Sequence, residues 1–359
     1  MTRFNLSIAI LACSIATSSI AAPGNVRYRL TLLDPSLTAS ADVRDINNRG
    51  EVVGVDGNGV AFLWNGQLVA LGPLLDPESP VSRAQAINDR SDIVGNYTDG
   101  IGRTHNFLLQ GGAVNTIQVI GNGAVQPADI NNRRQVVGTA FDAQFIQHGF
   151  IWRRGESELL ESPPGGEFCC GGVRAVNAHG VAVGVTFVSD RPRAVLWKAV
   201  ALNERGVVLG TSDGATRHVV IWEDAAAVDL AIPAGAVPRD INDREQVTGT
   251  LQRHGFLWER GIVTQLPSLE GALITEAANL NNAGEIVGTS SLPTGSRATL
   301  WEDEQVFDLN GLIRRNDPLR SFVTLVSASS INDRGAIVAT GRDSRAPTEL
   351  RTYLLTAVH

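Results

Sequence analysis

A ten-residue pattern that occurs eight times along 359 residues constrains this chain more than any other feature. It first reads Asp45-Ile46-Asn47-Asn48-Arg49-Gly50-Glu51-Val52-Val53-Gly54, and returns as Ala86-Ile87-Asn88-Asp89-Arg90 followed by Asp92-Ile93-Val94-Gly95. Further copies centre on Asn131, Asn177, Asn203, Asn242, Asn281 and Asn332. The asparagines lie 41, 43, 46, 26, 39, 39 and 51 residues apart. A period near forty built from short β-type segments is that of propeller blades, each a small sheet that buries its faces only by stacking on its neighbours.

Each copy divides into four segments with strand character. The first ends in Ile-Asn or Leu-Asn, and the second is the Val-Val-Gly stretch, rich in β-branched residues. The third carries an apolar cluster such as Phe62-Leu63-Trp64, Phe150-Ile151-Trp152, Val220-Ile221-Trp222 or Phe256-Leu257-Trp258. The fourth alternates loosely, as in Gln305-Val306-Phe307-Asp308-Leu309. No stretch between them has a helical period of helical length. The chain enters the repeats through Tyr28-Arg29-Leu30-Thr31-Leu32-Leu33, a fourth segment without a blade, and leaves soon after Tyr353-Leu354-Leu355, a third segment without a fourth. If the two ends pair they complete one blade, and closure removes the exposed sheet edges that an open array would leave. The 26-residue interval has no room for a fourth segment between Trp197 and Asn203. The expectation is an all-β propeller of eight four-stranded blades, one reduced, with seven blades as the alternative. It forms a single domain over residues 22–359.

Residues 1–21 read as an export signal. Met1-Thr2-Arg3 gives a positive start, Phe4 to Ala16 an apolar run, and Ser19-Ile20-Ala21 the small residues before a cut. The run is too short to span a bilayer and no later segment is long enough, so the expected location is periplasmic or extracellular. Past the leader only Cys169 and Cys170 remain. In an oxidising compartment they can form a vicinal disulfide; the alternative is a pair of thiols in the glycine-rich loop 165–172. The net charge is −7, and removing Arg3 leaves 29 basic against 37 acidic residues, or −8. That balance weighs against nucleic acid as a partner, because phosphate contacts need clustered positive charge. Lys198 is the single lysine, so almost all positive charge is guanidinium, which suits planar anions.

The third segment is introduced by His148-Gly149-Phe150, His254-Gly255-Phe256, His105-Asn106-Phe107 and Val60-Ala61-Phe62. Together with the Ile-Asn-x-x-Gly-x-Val-Val-Gly pattern, this resembles the bacterial extracellular HAF-repeat proteins, named for a His-Ala-Phe tripeptide. The resemblance covers essentially the whole chain past the leader. No copy carries the full tripeptide, and Ala339 replaces the Val-Val-Gly glycine in the last copy. The resemblance implies export and repeat architecture, and brings no activity with it.

Among the repeated residues, the eight asparagines suggest a ring of ligands but fit turn formation better, since an asparagine can bond its own backbone two residues on. Glycine three residues later, in five of eight copies, supplies the positive φ that such a turn needs. Trp64, Trp152, Trp197, Trp222, Trp258 and Trp301 are expected in the blade-to-blade core. Arg49, Arg90, Arg133, Arg205, Arg244 and Arg334 hold the same turn position in six copies and would form one rim. As a functional feature this rim is an anion-binding face; as a neutral one it is a set of soluble turn residues paired with the acids beside them, as in Asp89-Arg90 and Asp243-Arg244. His105, His148, His218 and His254 share a position with Arg193, Arg297 and Arg351, and cations there argue against a metal site. Gly210-Thr211-Ser212-Asp213-Gly214 matches a nucleophile elbow but lacks the strand–turn–helix setting that motif requires.

No residue set compels a reaction, and no cofactor or metal is expected. The leading expectation is an exported, non-enzymatic binding module for an anionic polysaccharide or a protein partner. A polysaccharide-directed hydrolase or lyase is the alternative, with its residues in the irregular loops 76–83, 163–172 and 310–327; a purely structural envelope protein is the third reading.

Overall fold

The computed structural model describes residues 27–33, 42–119, 125–141, 147–160, 172–185, 196–213, 218–223 and 226–358. The expected leader and both Cys169 and Cys170 lie outside these described residues, as do the side chains of Trp197 and Trp222. The described chain is an all-β propeller. Its first blade runs outward as Asp42–Ile46, Val52–Val55, Ala61–Trp64 and Leu68–Ala70, each strand antiparallel to the one before. The other blades repeat this meander around a common axis, each with its asparagine-ended strand innermost.

The described residues form seven sheets, one of them six-stranded, so of the two expected counts the alternative of seven blades holds and the leading count of eight does not. Gly172–Val176 and Ala182–Val185 begin a blade, but the next strand, Leu196–Leu202, pairs with Ala182–Val185 on one side and with Val208–Asp213 on the other. It also ends in Asn203, and so serves as the innermost strand of the following repeat. The physical reason is the short interval: 26 residues cannot supply the outer half of one blade as well as the inner strand of the next. One strand does both jobs, and eight repeats fill seven sheets.

Closure follows the expected route. The strand Arg27–Leu32 pairs with Ala346–Val358 in register Arg27↔Val358 to Leu32↔Tyr353, becoming the outer strand of the last blade. The long last interval braces this join. The Leu30 N–H donates to the Asp317 carboxylate (2.9 Å), and the Arg314 N–H donates to the Tyr28 carbonyl. The polar residues of 310–327 that make these bonds are thereby committed to holding the ring shut.

Two devices recur in the blades. The innermost strand carries a β-bulge three residues before its asparagine, with register shifts at Val43/Asp45, Ala84/Ala86, Pro127/Asp129, Val173/Ala175, Ala199/Ala201, Pro238/Asp240 and Ala277/Asn279. Opposite the bulge sits the Val-Val-Gly glycine, and a Cβ there would overlap a backbone carbonyl: that of Asp42 for Gly54, of Arg83 for Gly95, of Gln126 for Gly138. In the last blade the inner strand is bulged twice, at Leu325/Ser327 and Ala328/Ser330, and this is the copy that carries Ala339.

The core lies between blades. Phe62, Phe107, Phe150, Phe256 and Tyr353 hold the same position of the third strand and are fully buried. Trp152, Trp258 and Trp301 are buried as expected, whereas Trp64 is only partly so. Trp258 and Trp301 also donate their indole N–H to the Leu230 and Pro267 carbonyls of the preceding link between blades. Among the described residues no helix is long and apolar enough to cross a membrane.

Candidate functional site

The two ends of the propeller axis differ in chemistry. At one end the eight asparagines turn inward. Each side-chain oxygen accepts the backbone N–H four residues on, and all but that of Asn203 also accept the N–H two residues on, as Asn47 does from Arg49 and Glu51, which builds the turn. Each amide nitrogen donates to the backbone carbonyl of the next repeat's asparagine: Asn47 to Asn88, Asn88 to Asn131, Asn131 to Asn177, and onward to Asn332, which donates to Asn47. The asparagines are therefore structural twice over, as turn formers and as a closed girdle. The glycine position has positive φ in every copy, between 60° at Glu245 and 91° at Gly206, including the three copies without glycine. Those three side chains reach the neighbouring repeat instead: Ser91 to Glu51, Arg134 to Asp92, and Glu245 to Arg205.

A second ring runs beside the first. Asn48 accepts from the Asp333 N–H, Asp89 from the Asn48 N–H, Asn132 from the Asp89 N–H, and Asp243 from the Glu204 N–H. The well enclosed by these rings, about 350 Å³, is thus lined by groups whose hydrogen bonds are largely made within the protein. The six predicted arginines lie just outside it and all are exposed. They do share one rim, but Asp89, Glu204, Asp243 and Asp333 stand in the ring beside them, and Arg205 is paired with Glu245 at 2.7 Å. The rim is a mixed-charge surface.

Just inside this end, Asp45, Asp129 and Asp240 point their carboxylates at the next repeat. Asp45 accepts the N–H groups of Ile87 (2.9 Å) and Ile46 (2.8 Å), Asp129 those of Val176 and Ile130, and Asp240 those of Leu280 and Ile241. Asn279, at the corresponding position of the next copy, accepts from Ile331 and donates to Asp240. Burial pushes Asp45 and Asp240 up to about 7 and raises Asp129 as well, against the opposing pull of the backbone N–H donors.

The opposite end, where the innermost strands begin, holds a cleft of about 1040 Å³ contributed by four successive repeats. Its walls carry Arg44, Arg83 and Arg174 with the amides of Gln85, Gln126 and Gln147. None of the described lining residues is acidic or aromatic. Arg83 and Arg174 are exposed and make no ion pair or hydrogen bond among the described residues, while Arg44 leans on Asp42. Arg44 and Arg174 are bulge residues, where the extra residue re-aims its side chain out of the regular alternation. Arg83 stands in register with Asn96, and Val81 with Thr98 and Thr104, so one blade face supplies a polar wall.

The histidines stay apart. His105 pairs with Asp99 and His218 with Asp229, both at 2.8 Å, within their own blades. Among the described residues no group of three or more His, Cys, Asp or Glu is placed to hold a metal ion.

Reasoning forward from each asparagine led to the rim and missed the cleft, because the cleft arginines precede the asparagine. The signal was present: Arg44, Arg174 and Arg239 all stand three residues before it, at the bulge.

No family model matches this chain, and no curated protein matches it. Solved structures do, and they are propellers. YCF48 bound to the D1 peptide is similar with a TM-score of 0.51 at 9% identity, over 93% of this chain and 96% of that one. The β-propeller domain of the Trilobed protease from Pyrococcus furiosus gives a TM-score of 0.44 at 9% identity, over 79% of this chain and 98% of that one. At these identities the likeness is one of fold.

Proposed function

We propose that this chain is an exported, non-catalytic binding propeller of the HAF-repeat kind, and that its ligand is anionic and seats in the arginine-lined cleft. One observation carries the reading: on a chain with net charge −7, the cleft gathers three arginines and no carboxylate among its described lining. Arg83 and Arg174 are free of ion pairs among the described residues, and guanidinium groups in a concave site attract anions and bind them through charge-assisted, bidentate hydrogen bonds. The six rim arginines, set among acids, contribute less, because exposed neighbouring pairs of opposite charge largely cancel. A rigid propeller used for recognition has a parallel in YCF48, whose structure is described with a bound peptide. The hydrolase alternative draws no support from this cleft, since glycoside hydrolysis ordinarily uses two carboxylates flanking the scissile bond.

The test passes the purified protein over immobilised acidic and neutral polymers at low and high salt, following retention and released product together. Salt-sensitive retention on acidic polymers without product is the expected result. Released product would overturn the non-catalytic reading, and equal retention on neutral polymers would overturn the anionic one.

A further inference from the structure

We infer that the ligand of the cleft is a carboxylated polysaccharide, an inference that rests on the binding reading above. The arginines do not converge on a point. Arg44, Arg83 and Arg174 come from three different repeats, so positive charge is spread along the cleft, matching a chain that carries carboxylates at intervals better than a compact anion. Between them stand Gln85, Gln126 and Gln147, each offering a donor and an acceptor on one planar group. Such amides complement hydroxyls, which donate and accept in turn.

The missing residue types point the same way. Protein interfaces centre on buried aromatic or large aliphatic anchors, and the described lining offers only valines, one proline and one alanine as apolar groups. Single-stranded nucleic acid is held by stacking on aromatic side chains, and no described lining residue is aromatic. Of the carboxylates on the inner strands, Asp45 and Asp129 are turned to backbone N–H groups of the next repeat and Asp42 is paired with Arg44, which leaves Arg83 and Arg174 as the guanidinium groups open to an anion. A polyhydroxylated polyanion fits what remains: carboxylates on guanidinium forks, hydroxyls on amides.

The experiment is titration calorimetry of the full protein with three probes, namely an oligogalacturonate, a poly-glutamate peptide of equal charge and a neutral dextran oligomer. The oligogalacturonate is expected to bind at least about tenfold more tightly than poly-glutamate, with a salt-sensitive constant, and the dextran not at all. An Arg83→Ala/Arg174→Ala variant should lose at least about tenfold in oligogalacturonate affinity, since each lost guanidinium removes a charge-assisted contact. Because both side chains are exposed and unpaired among the described residues, its melting temperature should match the parent's. Poly-glutamate binding as tightly, with the same loss in the variant, would overturn the polysaccharide assignment and leave the anion cleft standing. No binding of either acidic probe, or undiminished binding by the variant, would overturn the cleft itself.

Discussion

Asn332 donates its side-chain amide to the backbone carbonyl of Asn47 at 2.8 Å, joining residues 285 positions apart in the chain. This is the last of eight equivalent bonds, spanning 2.8 to 3.1 Å, that tie each repeat to the next. In a closed girdle no link is terminal, so the bond at the seam should matter as much as one inside the array. Replacing Asn332 by Asp keeps the acceptor that builds the turn and removes the donor. The expected loss is about 1–3 kcal/mol, the range for stranding a buried partner. Asn131→Asp should cost a similar amount. Urea midpoints of the two variants check this, and an Asn332 variant of unchanged stability would show that the girdle does not carry the closure.

The Val-Val-Gly glycine is expected to be intolerant for a reason separate from φ. Gly95→Ala places a methyl group on the Arg83 carbonyl, and the bulged inner strand cannot move away without breaking its pairing. A destabilisation of about 2 kcal/mol or more is expected, at the upper end of overpacking costs. The doubly bulged last blade already accepts alanine there, so Ala339→Gly relieves no overlap and should cost about 0.4–1 kcal/mol through the added flexibility of the unfolded chain. Thermal melting of the two variants distinguishes the positions.

The axial carboxylates give stability a pH dependence of unusual sign. Asp45 and Asp240 hold their protons up to about 7 in the folded chain, while an unfolded aspartate releases its proton near 3.8. Between those values the folded state binds more protons than the unfolded one, so stability falls as pH rises. The contribution is fully present below about 4 and lost above about 7. The melting temperature is therefore expected to climb as pH is lowered from 8 to 5, and Asp240→Asn should flatten that climb. Asn279 shows that an amide can serve at this position.

Much of this architecture was legible in the sequence because its causes are local. The turn formed by Asn47, Arg49 and Gly50 needs only neighbouring residues, and the period of those turns gives the blades. The unpaired outer segment at Tyr28 and the missing one after Leu355 announced the seam. What escaped is relational. That Asn47 also binds Asn88 depends on how blades stack, and nothing within one repeat encodes it. The merging at Leu196–Leu202 was read as a missing strand, because sequence reveals a shortage of residues but not which strand is shared. The cleft was hidden for a third reason: Arg83 stands in a different register from Arg44 and Arg174, and only the ring brings the three onto one surface.

The placement of the ligand on the cleft, away from the arginine rim, is tested most directly by backbone hydrogen exchange of the protein with and without an oligogalacturonate. The two faces are read in the same experiment. Slowed exchange in the cleft strands Val81–Ile87, Val125–Ile130 and Gly172–Val176, with the rim turns at Arg90, Arg133 and Arg244 unchanged, is the predicted result. Protection confined to those rim turns, or shared equally by both faces, would contradict it.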